Sequence, residues 1–333
     1  MTLKNRNIMV TGGAGFIGST LVRRLLGAGA NVVVFDNFFS GSMENLAEVA
    51  DRITVVTGDI RDPALRMVMR EQNIDKVFNL AAEPFIPWCY DRPQSFFEVN
   101  ANGTLNVLLA SKEAGVERVV QYSSSEVYGT AQTVPMDEGH PTLPLSTYAV
   151  SKLAADRLSF SLHKEQGIPV VILRQFNVYG PRETHPYIIP ELISQLEKSN
   201  KLTLGNIEAR RDFTYVEDAA DGAIKLMETP GLEGEVINMG SGKDYSIREM
   251  AEIVAGLMGR GEPDISVDKK RLRPVDLERL CCNYSKMNTL TGWEPKKSFK
   301  NGLKETIRFF EEREKKWIWE GKTTPVPECW MKK

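Results

Sequence analysis

A tyrosine and a lysine four positions apart, Tyr148 and Lys152, carry the chemistry that this sequence indicates most directly. In a helix this spacing puts both side chains on one face. A neighbouring ammonium favours the ionised form of a phenol, and an ionised phenol can accept a hydroxyl proton while hydride leaves the same carbon. Taken alone, the pattern is equally typical of a surface tyrosine beside a solvated lysine.

A serine run upstream strengthens the catalytic interpretation. Ser123, Ser124 and Ser125 follow a predicted strand, Arg118–Tyr122. Ligands bind at the carboxyl ends of the strands in open parallel sheets, which is where this run would lie. We therefore predict that a hydroxyl of the run holds the substrate oxygen beside Tyr148.

Three glycines follow the first predicted strand, Asn7–Val10, at GxxGxxG spacing. Glycine lets the backbone turn tightly and approach a pyrophosphate, which binds at the N-terminus of the next helix. This turn follows a strand and opens a helix, which is the context that a dinucleotide site requires. The predicted contacts are Gly12, Gly15, Phe16, Ile17 and Gly18.

An acidic residue at the end of the second strand, Asp36, lies 18 residues after Gly18. A carboxylate there accepts hydrogen bonds from ribose hydroxyls and repels a 2′-phosphate, so we predict NAD rather than NADP. The alternative is a helix or turn cap, a common position for Asp. Asp59 is a candidate for the adenine edge or for a cap. The other predicted cofactor contacts are Asn37, Ile60, Leu80, Ala81 and Ala82.

Charge and cysteine content exclude several classes of function. A net charge of −2 over 333 residues provides no basic field for nucleic acid or an anionic membrane. Four Cys and three His show no metal-binding spacing, so we predict no metal. No apolar run reaches the roughly 20 residues of a membrane span, and the first residues do not resemble a signal peptide. We expect a cytoplasmic protein with reduced thiols.

The first half of the chain alternates short apolar strands with helix-length segments. This rhythm predicts an α/β fold with a doubly wound parallel sheet of the Rossmann type. The predicted strands are Asn7–Val10, Val32–Phe35, Ile53–Val56, Lys76–Leu80, Arg118–Tyr122 and Val170–Leu173. The predicted helices are Phe16–Ala28, Pro63–Gln72, Gln94–Ala114 and Thr147–Gln166.

The rhythm changes after Arg174, where a smaller mixed α/β lobe is predicted. We assign 1–175 to an NAD-binding domain, 176–320 mainly to a substrate-binding lobe, and 321–333 to a tail. A strand within 235–240 is expected to return to the large sheet. The predicted elements are a loop-rich stretch at Asn177–Arg211, a strand at Glu235–Asn238, and helices at Ile188–Ser199, Ser246–Met258 and Phe299–Lys316.

Several motifs together resemble the extended short-chain dehydrogenase/reductase superfamily, whose members are mostly nucleotide-sugar epimerases, dehydratases and decarboxylases. The resemblance spans about Asn5 to Phe310 and rests on TGGAGFIG, Asp36, GDI, NLAA, SSSEVYG, YAVSK and RQFNVYGPR. It implies a catalytic triad of Ser124, Tyr148 and Lys152. It also implies that Asn100 and Asn177 lie near the active centre, with Asn100 among the cofactor contacts.

Glu126 distinguishes the reaction types within this superfamily. The resemblance implies a small residue here in 4-epimerases, and Glu in 4,6-dehydratases and UDP-glucuronate decarboxylases. In a dehydratase, a ketone at C4 makes the C5 proton acidic, a carboxylate removes it as the C6 oxygen leaves, and hydride returns to C6. Ser125 stands where glucose-type dehydratases resemble one another in having Asp, so Glu126 itself would protonate the leaving oxygen. The alternative is a turn residue facing solvent.

The second half resembles the part of the superfamily that binds a nucleoside diphosphate. Arg211 and Arg273 match arginines that contact substrate phosphates, which guanidinium suits, although both are also typical surface residues. Phe85 and Trp88 follow the fourth strand and are predicted to face the sugar, with Trp88 either stacking on the hexose or filling the interface between lobes. Resemblance also implies a homodimer formed through the helices predicted at Gln94–Ala114 and Thr147–Gln166.

The sequence therefore predicts an NAD-dependent nucleotide-sugar 4,6-dehydratase that acts on a nucleotide-diphosphate sugar. A 4-epimerase or UDP-glucuronate decarboxylase is the alternative within the superfamily. A catalytically silent NAD-binding scaffold or sensor is the alternative of a different class, because fold does not imply function. The presence of Ser124, Tyr148 and Lys152 favours an enzyme.

Overall fold

The computed structural model describes residues 2–313 and contains one large sheet with smaller groups of strands beside it. Numbered along the chain, the strands are β1 (Asn7–Thr11), β2 (Asn31–Asp36), β3 (Ile53–Thr57), β4 (Lys76–Asn79), β5 (Arg118–Tyr122), β6 (Val170–Gln175), β7 (Asn177–Tyr179), β8 (Lys201–Leu204), β9 (Arg210–Tyr215), β10 (Val236–Met239), β11 (Asp244–Ser246), β12 (Asp264–Val267) and β13 (Arg279–Leu280).

The helices cover both faces of the large sheet and one side of the smaller strands. They are α1 (Phe16–Gly27), α2 (Leu65–Glu71), α3 (Pro93–Phe97), α4 (Thr104–Ala114), α5 (Thr147–Gln166), α6 (Ile188–Lys198), α7 (Val216–Glu228), α8 (Ile247–Leu257), α9 (Ser285–Thr291) and α10 (Phe299–Glu311).

The large sheet has seven parallel strands in the order β3-β2-β1-β4-β5-β6-β10. Six of them follow the order of a doubly wound nucleotide-binding sheet, and β10 adds a seventh at the β6 edge. Val10 of β1 lies between Val34 of β2 and Phe78 of β4, and all three are buried. Strands buried on both faces require such apolar runs, which confirms the predicted Rossmann-type fold.

Two apolar cores lie on the two faces of this sheet. On one face α1 packs against α7, and their buried side chains join those of β1 and β2. On the other face α2, α4 and α5 pack against one another and against the sheet. The helices thus hold the sheet rigid, so that residues at its carboxyl edge have fixed positions.

The smaller lobe consists of a four-stranded group with β9 at its centre, paired with β7, β11 and β13, and a separate β8–β12 pair. Helices α6, α8 and α10 supply its core, which includes Leu192, Val254 and Leu303. The predicted mixed α/β lobe is therefore present. The division of the chain at residue 175 stays a prediction, because β10 and α7 lie on the large sheet although they come from the second half.

Three elements differ from the sequence-based prediction. The helix predicted at Gln94–Ala114 is α3 and α4 joined by a π-helical turn at Glu98–Gly103. The stretch predicted as loop holds β7, β8 and the start of β9, strands too short to show an alternating pattern. Helix α7 was missed, although its apolar side chains lie on one face, as in other amphipathic helices. The predicted tail, 321–333, and the end of the helix predicted to Lys316 lie outside the described residues.

Replacing Leu226 of α7 with alanine tests the placement of that helix on the sheet. Leu226 is fully buried in the core that α7 shares with α1, so the free energy of unfolding should fall by about 2–5 kcal/mol. Chemical denaturation followed by circular dichroism measures the loss. Leu290→Ala on α9, where the side chain is 38% exposed, is the matched control and should change stability by no more than about 0.5 kcal/mol. Equal losses in the two variants would contradict this packing.

Candidate active site

A cavity of about 860 Å³ lies at the carboxyl edge of the large sheet, between the sheet and the smaller lobe. Such an edge is where doubly wound sheets bind ligands. The cavity wall includes nearly every predicted cofactor, catalytic and substrate residue. These residues are Gly12, Gly15, Phe16, Ile17, Gly18, Asp36, Asn37, Asp59, Ile60, Leu80, Ala81, Ala82, Phe85, Ser124, Ser125, Glu126, Tyr148, Lys152, Asn177, Arg211 and Arg273.

The glycine-rich turn connects β1 to α1 and requires glycine at two positions. Gly12 has a φ of +68°, a conformation that side chains disfavour. A Cβ on Gly18 would lie 2.2 Å from the Gly12 carbonyl oxygen, so any side chain would push the helix away from the turn. This close approach of helix and turn leaves the N-terminal backbone of α1 facing the cavity, a suitable position for a pyrophosphate.

The two acidic residues predicted for the nucleotide both lie on the cavity wall. Asp36 Oδ2 accepts a hydrogen bond from the Ala14 N–H at 2.9 Å, and its Oδ1 accepts one from Phe38 at 2.8 Å. Burial raises the pKa of Asp36. Asp59 pairs with Arg61 at 2.8 Å, and this hydrogen-bonded guanidinium lowers the pKa of Asp59 to about 2. Neither residue lies at the N-terminus of a helix. Each caps a turn, because Asp36 Oδ1 accepts the Phe38 N–H and Asp59 Oδ1 accepts the Arg61 N–H at 2.9 Å, so the turn-capping alternative also describes both residues.

A 3₁₀ turn, Ser125–Tyr128, positions the residues after β5. Ser124 lies at its N-terminus, and the Ser124 Oγ accepts a hydrogen bond from the Glu126 N–H at 3.2 Å. This contact fixes the backbone between the two residues. Glu126 is half-buried and lines the cavity. The alternative, a turn residue that faces bulk solvent, therefore does not describe its position.

Tyr148 and Lys152 lie on the face of α5 that meets the cavity, as their spacing predicts, and both are buried. Lys152 Nζ donates a hydrogen bond to the Tyr122 carbonyl at the end of β5, at 2.5 Å. Burial raises the pKa of Tyr148 to about 12, although a hydrogen bond with Ser124 opposes the rise. The sequence led us to expect that the neighbouring ammonium would favour the ionised phenol and so lower this pKa. The pKa is raised instead, because the loss of hydration on burial dominates.

A buried ion pair supports this part of the site from behind. The Asp156 carboxylate accepts hydrogen bonds from Arg174 Nε at 2.9 Å and from the Ser123 hydroxyl at 3.0 Å. Asp156 follows Lys152 by one helical turn and favours its charged form. The pair thus links α5, the end of β5 and β6, whose relative positions set the distance between Ser124 and Tyr148.

Two arginines and an aspartate face Glu126 across the cavity. Arg211 Nη2 lies 3.1 Å from Asp276 Oδ1, and Arg273 Nη1 lies 3.8 Å from the same oxygen. Burial raises the pKa of Glu126, while Arg211 and Arg273 oppose the rise. Arg211 is only 6% exposed, so it is not a surface residue. Asp276 thus holds both guanidinium groups at the cavity wall. Its second carboxylate oxygen accepts a hydrogen bond from the Asn206 amide.

Two predicted contact residues lie behind the cavity wall. Asn100 is buried in the π-helical turn, where its amide donates to Ser151 Oγ at 2.9 Å and its oxygen accepts from the Glu83 N–H at 2.8 Å. These contacts hold the Asn100 side chain against the Glu83 backbone behind the wall, and its predicted contact with the cofactor stays a prediction. Trp88 packs edge-on against Phe85, with ring centroids 5.3 Å apart, and fills the interface between lobes.

Several cavity residues escaped the sequence analysis. His185 is buried on the cavity wall, with its ring stacked on that of Phe85 at a centroid distance of 5.1 Å. Glu183, Tyr187 and Asp276 also line the cavity. Only Asp276 carried a usable signal, since it follows Arg273 by three positions in a loop already expected to bind phosphate.

Comparison with known proteins identifies the family. A family model described as GDP-mannose 4,6 dehydratase matches residues 9–306. The chain belongs to this family. This member is 33% identical to a UDP-N-acetyl-alpha-D-glucosaminuronate decarboxylase from Bacillus cytotoxicus, over 93% of this chain and 99% of that protein. It is 31% identical to the dTDP-D-glucose 4,6-dehydratase of Mus musculus, over 94% of this chain and 90% of the relative.

Solved structures of the family agree with this fold and indicate its cofactor. The crystal structure of dTDP-glucose 4,6-dehydratase from Streptomyces venezuelae, which contains NAD, superposes with a TM-score of 0.86. The Streptomyces venezuelae protein is 32% identical in sequence to this protein. The match covers 93% of this chain and 98% of that chain. NAD is the cofactor of this family. The glycine-rich turn and the buried Asp36 carboxylate fit a dinucleotide that lacks a 2′-phosphate.

Two kinds of feature, a membrane-spanning helix and a metal-binding cluster, are absent from the residues that the structure describes. Over residues 2–313, no helix is both long and apolar enough to cross a membrane. In the same residues, no three His, Cys, Asp or Glu side chains are grouped to hold a metal ion. The three cysteines in this range, Cys89, Cys281 and Cys282, are free thiols, and Cys329 lies outside it.

Replacing Lys152 with methionine tests the burial of its ammonium. Burial lowers the pKa of Lys152 from 10.5 to about 8, so between these pH values the unfolded chain binds more protons than the folded one. The free energy of unfolding of the wild type, relative to Lys152→Met, should therefore rise with pH across this interval by on the order of 3 kcal/mol. This gain in the free energy of unfolding should be lost as the pH falls again towards about 8, the pKa of Lys152 in the folded protein. Chemical denaturation from about pH 7 to 10 measures this difference.

The control for this experiment is Lys300→Met, which removes an exposed lysine of α10. Its difference from the wild type should stay constant over the same pH range. A constant difference for Lys152→Met as well would show that the ammonium is hydrated in the folded protein.

Proposed function

We propose that this protein is an NAD-dependent nucleotide-sugar 4,6-dehydratase. The observation that carries the proposal is the position of Glu126 on the wall of the cavity that also contains Tyr148. Ser124 links the two residues, because its Oγ accepts a hydrogen bond from the Glu126 N–H and its hydroxyl also hydrogen-bonds Tyr148. A proton acceptor beside the phenol is what elimination at C5 and C6 requires in addition to oxidation at C4.

Tyr148 and Ser124 would act first, on the C4 hydroxyl. The Tyr148 oxygen takes the hydroxyl proton, and the Ser124 hydroxyl holds the same sugar oxygen by a hydrogen bond. The glycine-rich turn and Asp36 would hold NAD, which would supply an acceptor for the hydride of C4 and a hydride donor for C6. Burial alone makes the cost of forming the Tyr148 anion large, because it raises the pKa of this phenol.

Glu126 would then perform both proton transfers of the elimination. Its carboxylate takes the C5 proton, which the C4 ketone has made acidic, and the electron pair of that bond forms the C5–C6 double bond. The C6 oxygen leaves with the proton that Glu126 now carries, as water. Burial raises the pKa of Glu126 above its usual range, a direction that suits a group that must accept and then release a proton. Ser125 offers a hydrogen bond beside it and no readily released proton.

Arg211 and Arg273 would anchor the nucleotide diphosphate. Guanidinium groups form paired hydrogen bonds with phosphate oxygens, and Asp276 holds both groups in position at the wall. Asn177, at the start of β7, lines the same cavity. This arrangement supports a nucleotide-diphosphate sugar as the substrate.

A uronate decarboxylase is the second candidate, favoured by one observation. Arg211 and Arg273 lie close enough to Glu126 to lower its pKa, so a cation is available near the sugar carbon that Glu126 serves. A uronate carboxylate needs such a cation, and the sequence alone had not located one. The relative from Bacillus cytotoxicus is named as a decarboxylase of an N-acetylated uronate.

The homodimer expected from the sequence also belongs to this proposal. Helices α4 and α5 expose Leu109 and Val150, which are 37% and 45% accessible in the single chain. Burial of these side chains against a second copy supports a four-helix interface behind the catalytic residues.

The product distinguishes the candidate reactions. A dehydratase yields a nucleotide sugar that has lost one water and carries a base-sensitive 4-keto chromophore. Mass spectrometry of incubations with UDP, GDP, dTDP and CDP hexoses should detect that loss for one of them. Unchanged mass with inversion at C4 would identify an epimerase, and loss of carbon dioxide from a uronate would identify a decarboxylase.

Glu126→Gln should separate oxidation from elimination. Glutamine keeps the shape of the side chain and cannot take the C5 proton, so deuterium uptake at C5 from heavy water should fall at least about 100-fold. Transient reduction of bound NAD, followed at 340 nm, should persist because Tyr148 and Lys152 are unchanged. The control variant is Glu262→Gln, at an exposed position. Normal deuterium uptake in Glu126→Gln would remove Glu126 from the assigned role.

A further inference from the structure

One of the five arginines that line the cavity has no carboxylate partner among residues 2–313. The other four, which pair with aspartate or glutamate side chains, are Arg61, Arg211, Arg271 and Arg273. The remaining arginine is Arg92, and its guanidinium group forms no ion pair or hydrogen bond within the described residues. Because a guanidinium is always charged and its N–H groups can only donate, Arg92 is available to an anion in the cavity.

Two aromatic rings hold the Arg92 side chain in place. Its guanidinium carbon lies 4.6 Å from the ring centre of Trp88 and 5.5 Å from that of Phe39. The two rings meet edge to face, with their centres 5.9 Å apart, so they form a single aromatic corner. Aromatic faces attract a cation but offer no oxygen to its N–H groups. These contacts therefore fix the charge and leave its hydrogen bonds free for a ligand.

The loop that carries Phe39 is fastened to the glycine-rich turn. This loop, residues 37–42, follows β2 and lines the cavity through Phe39 and Gly41. The Ser42 N–H donates to the Ala14 carbonyl at 3.1 Å, and a Cβ on Gly41 would lie 2.9 Å from the Ala14 Cβ. Ala14 is a residue of the turn itself. Phe39, two residues before Gly41, thus brings the guanidinium group to the side of the cavity that the turn forms.

The turn carries no cation of its own. No Lys or Arg occurs from Thr11 to Thr20, a stretch that includes the turn and the start of α1. The next basic residue, Arg23, is occupied by the Ser19 carbonyl at 2.7 Å and by Glu48 at 3.0 Å. From the turn itself, a diphosphate would meet only backbone N–H groups and the partial positive charge of the helix N-terminus. A guanidinium would add a full charge and paired hydrogen bonds to phosphate oxygens.

We propose that Arg92 binds the diphosphate of NAD, and that Phe39 and Trp88 hold its guanidinium group for this contact. The arginines of the smaller lobe, Arg211 and Arg273, would then serve only the diphosphate of the substrate. The inference goes beyond the proposed function, because NAD is the cofactor of this family whichever sugar reaction the protein catalyses.

Ligand binding by the full-length protein tests the proposal without relying on turnover. Equilibrium dialysis against radiolabelled NAD gives the dissociation constant of the cofactor. Displacement by adenosine gives that of the same nucleoside without its phosphates, and calorimetry gives those of UDP, GDP, dTDP and CDP. The variants are Arg92→Gln, Arg92→Lys and the control Arg52→Gln, which removes an exposed charge.

Arg92→Gln should weaken NAD binding by about tenfold or more, because a charged hydrogen bond is lost. Its affinities for adenosine and for the nucleoside diphosphates should stay at the wild-type values. Arg92→Lys should recover part of the loss, because an ammonium keeps the charge and lacks the planar fork. Arg52→Gln should bind all of these ligands as the wild type does.

Unchanged NAD affinity in Arg92→Gln would overturn the proposal. An equal loss of affinity for adenosine would do so too, since it would show that Arg92 only supports the fold of the loop. A loss for any nucleoside diphosphate as large as that for NAD would assign Arg92 to the substrate instead. A failure of the proposed dehydration would appear in the product analysis and would leave these affinities as predicted.

Discussion

A buried ammonium group, Lys152, sets requirements that much of the surrounding structure meets. Its Nζ is held by the carbonyl of Tyr122 at the end of β5, and Asp156 favours its charge from the next turn of α5. Asp156 in turn pairs with Arg174 of β6. Because a buried charge is costly without partners, these contacts bind two central strands to the catalytic helix. The same helix carries Tyr148, whose phenol hydrogen-bonds Ser124 and packs edge-on against Phe96.

The cavity lies between the carboxyl edge of the large sheet and the smaller lobe, which comes from the second half of the chain. The glycine-rich turn and Asp36 come from the large sheet, while Arg211 and Arg273 come from the smaller lobe. A dinucleotide and a nucleoside diphosphate can therefore meet from opposite sides, with their reactive ends beside Tyr148. The family includes dehydratases, decarboxylases and epimerases, which is consistent with one oxidising centre and a few variable groups around it.

The sequence predicted the large sheet and most of the catalytic wall, because these depend on local patterns. Apolar runs such as Val170–Leu173 identify strands buried on both faces, and the four-residue spacing of Tyr148 and Lys152 needs only a helix. The direction in which a side chain points was harder to predict. The Asn100 side chain lies behind the cavity wall because its amide hydrogen-bonds the Glu83 backbone, and Arg211 is buried at the wall beside Asp276, a residue 65 positions later in the chain. Both outcomes depend on contacts between distant segments, which spacing does not reveal.

A crystal structure of the protein with NAD and an unreactive nucleotide-sugar analogue tests the central claim most directly. The account predicts that the Tyr148 oxygen lies within hydrogen-bond distance of the hexose O4, that the Glu126 carboxyl lies against C5 and C6, and that both arginines contact the diphosphate. A hexose bound with C4 far from Tyr148, or with Glu126 facing away from C5, would contradict the account.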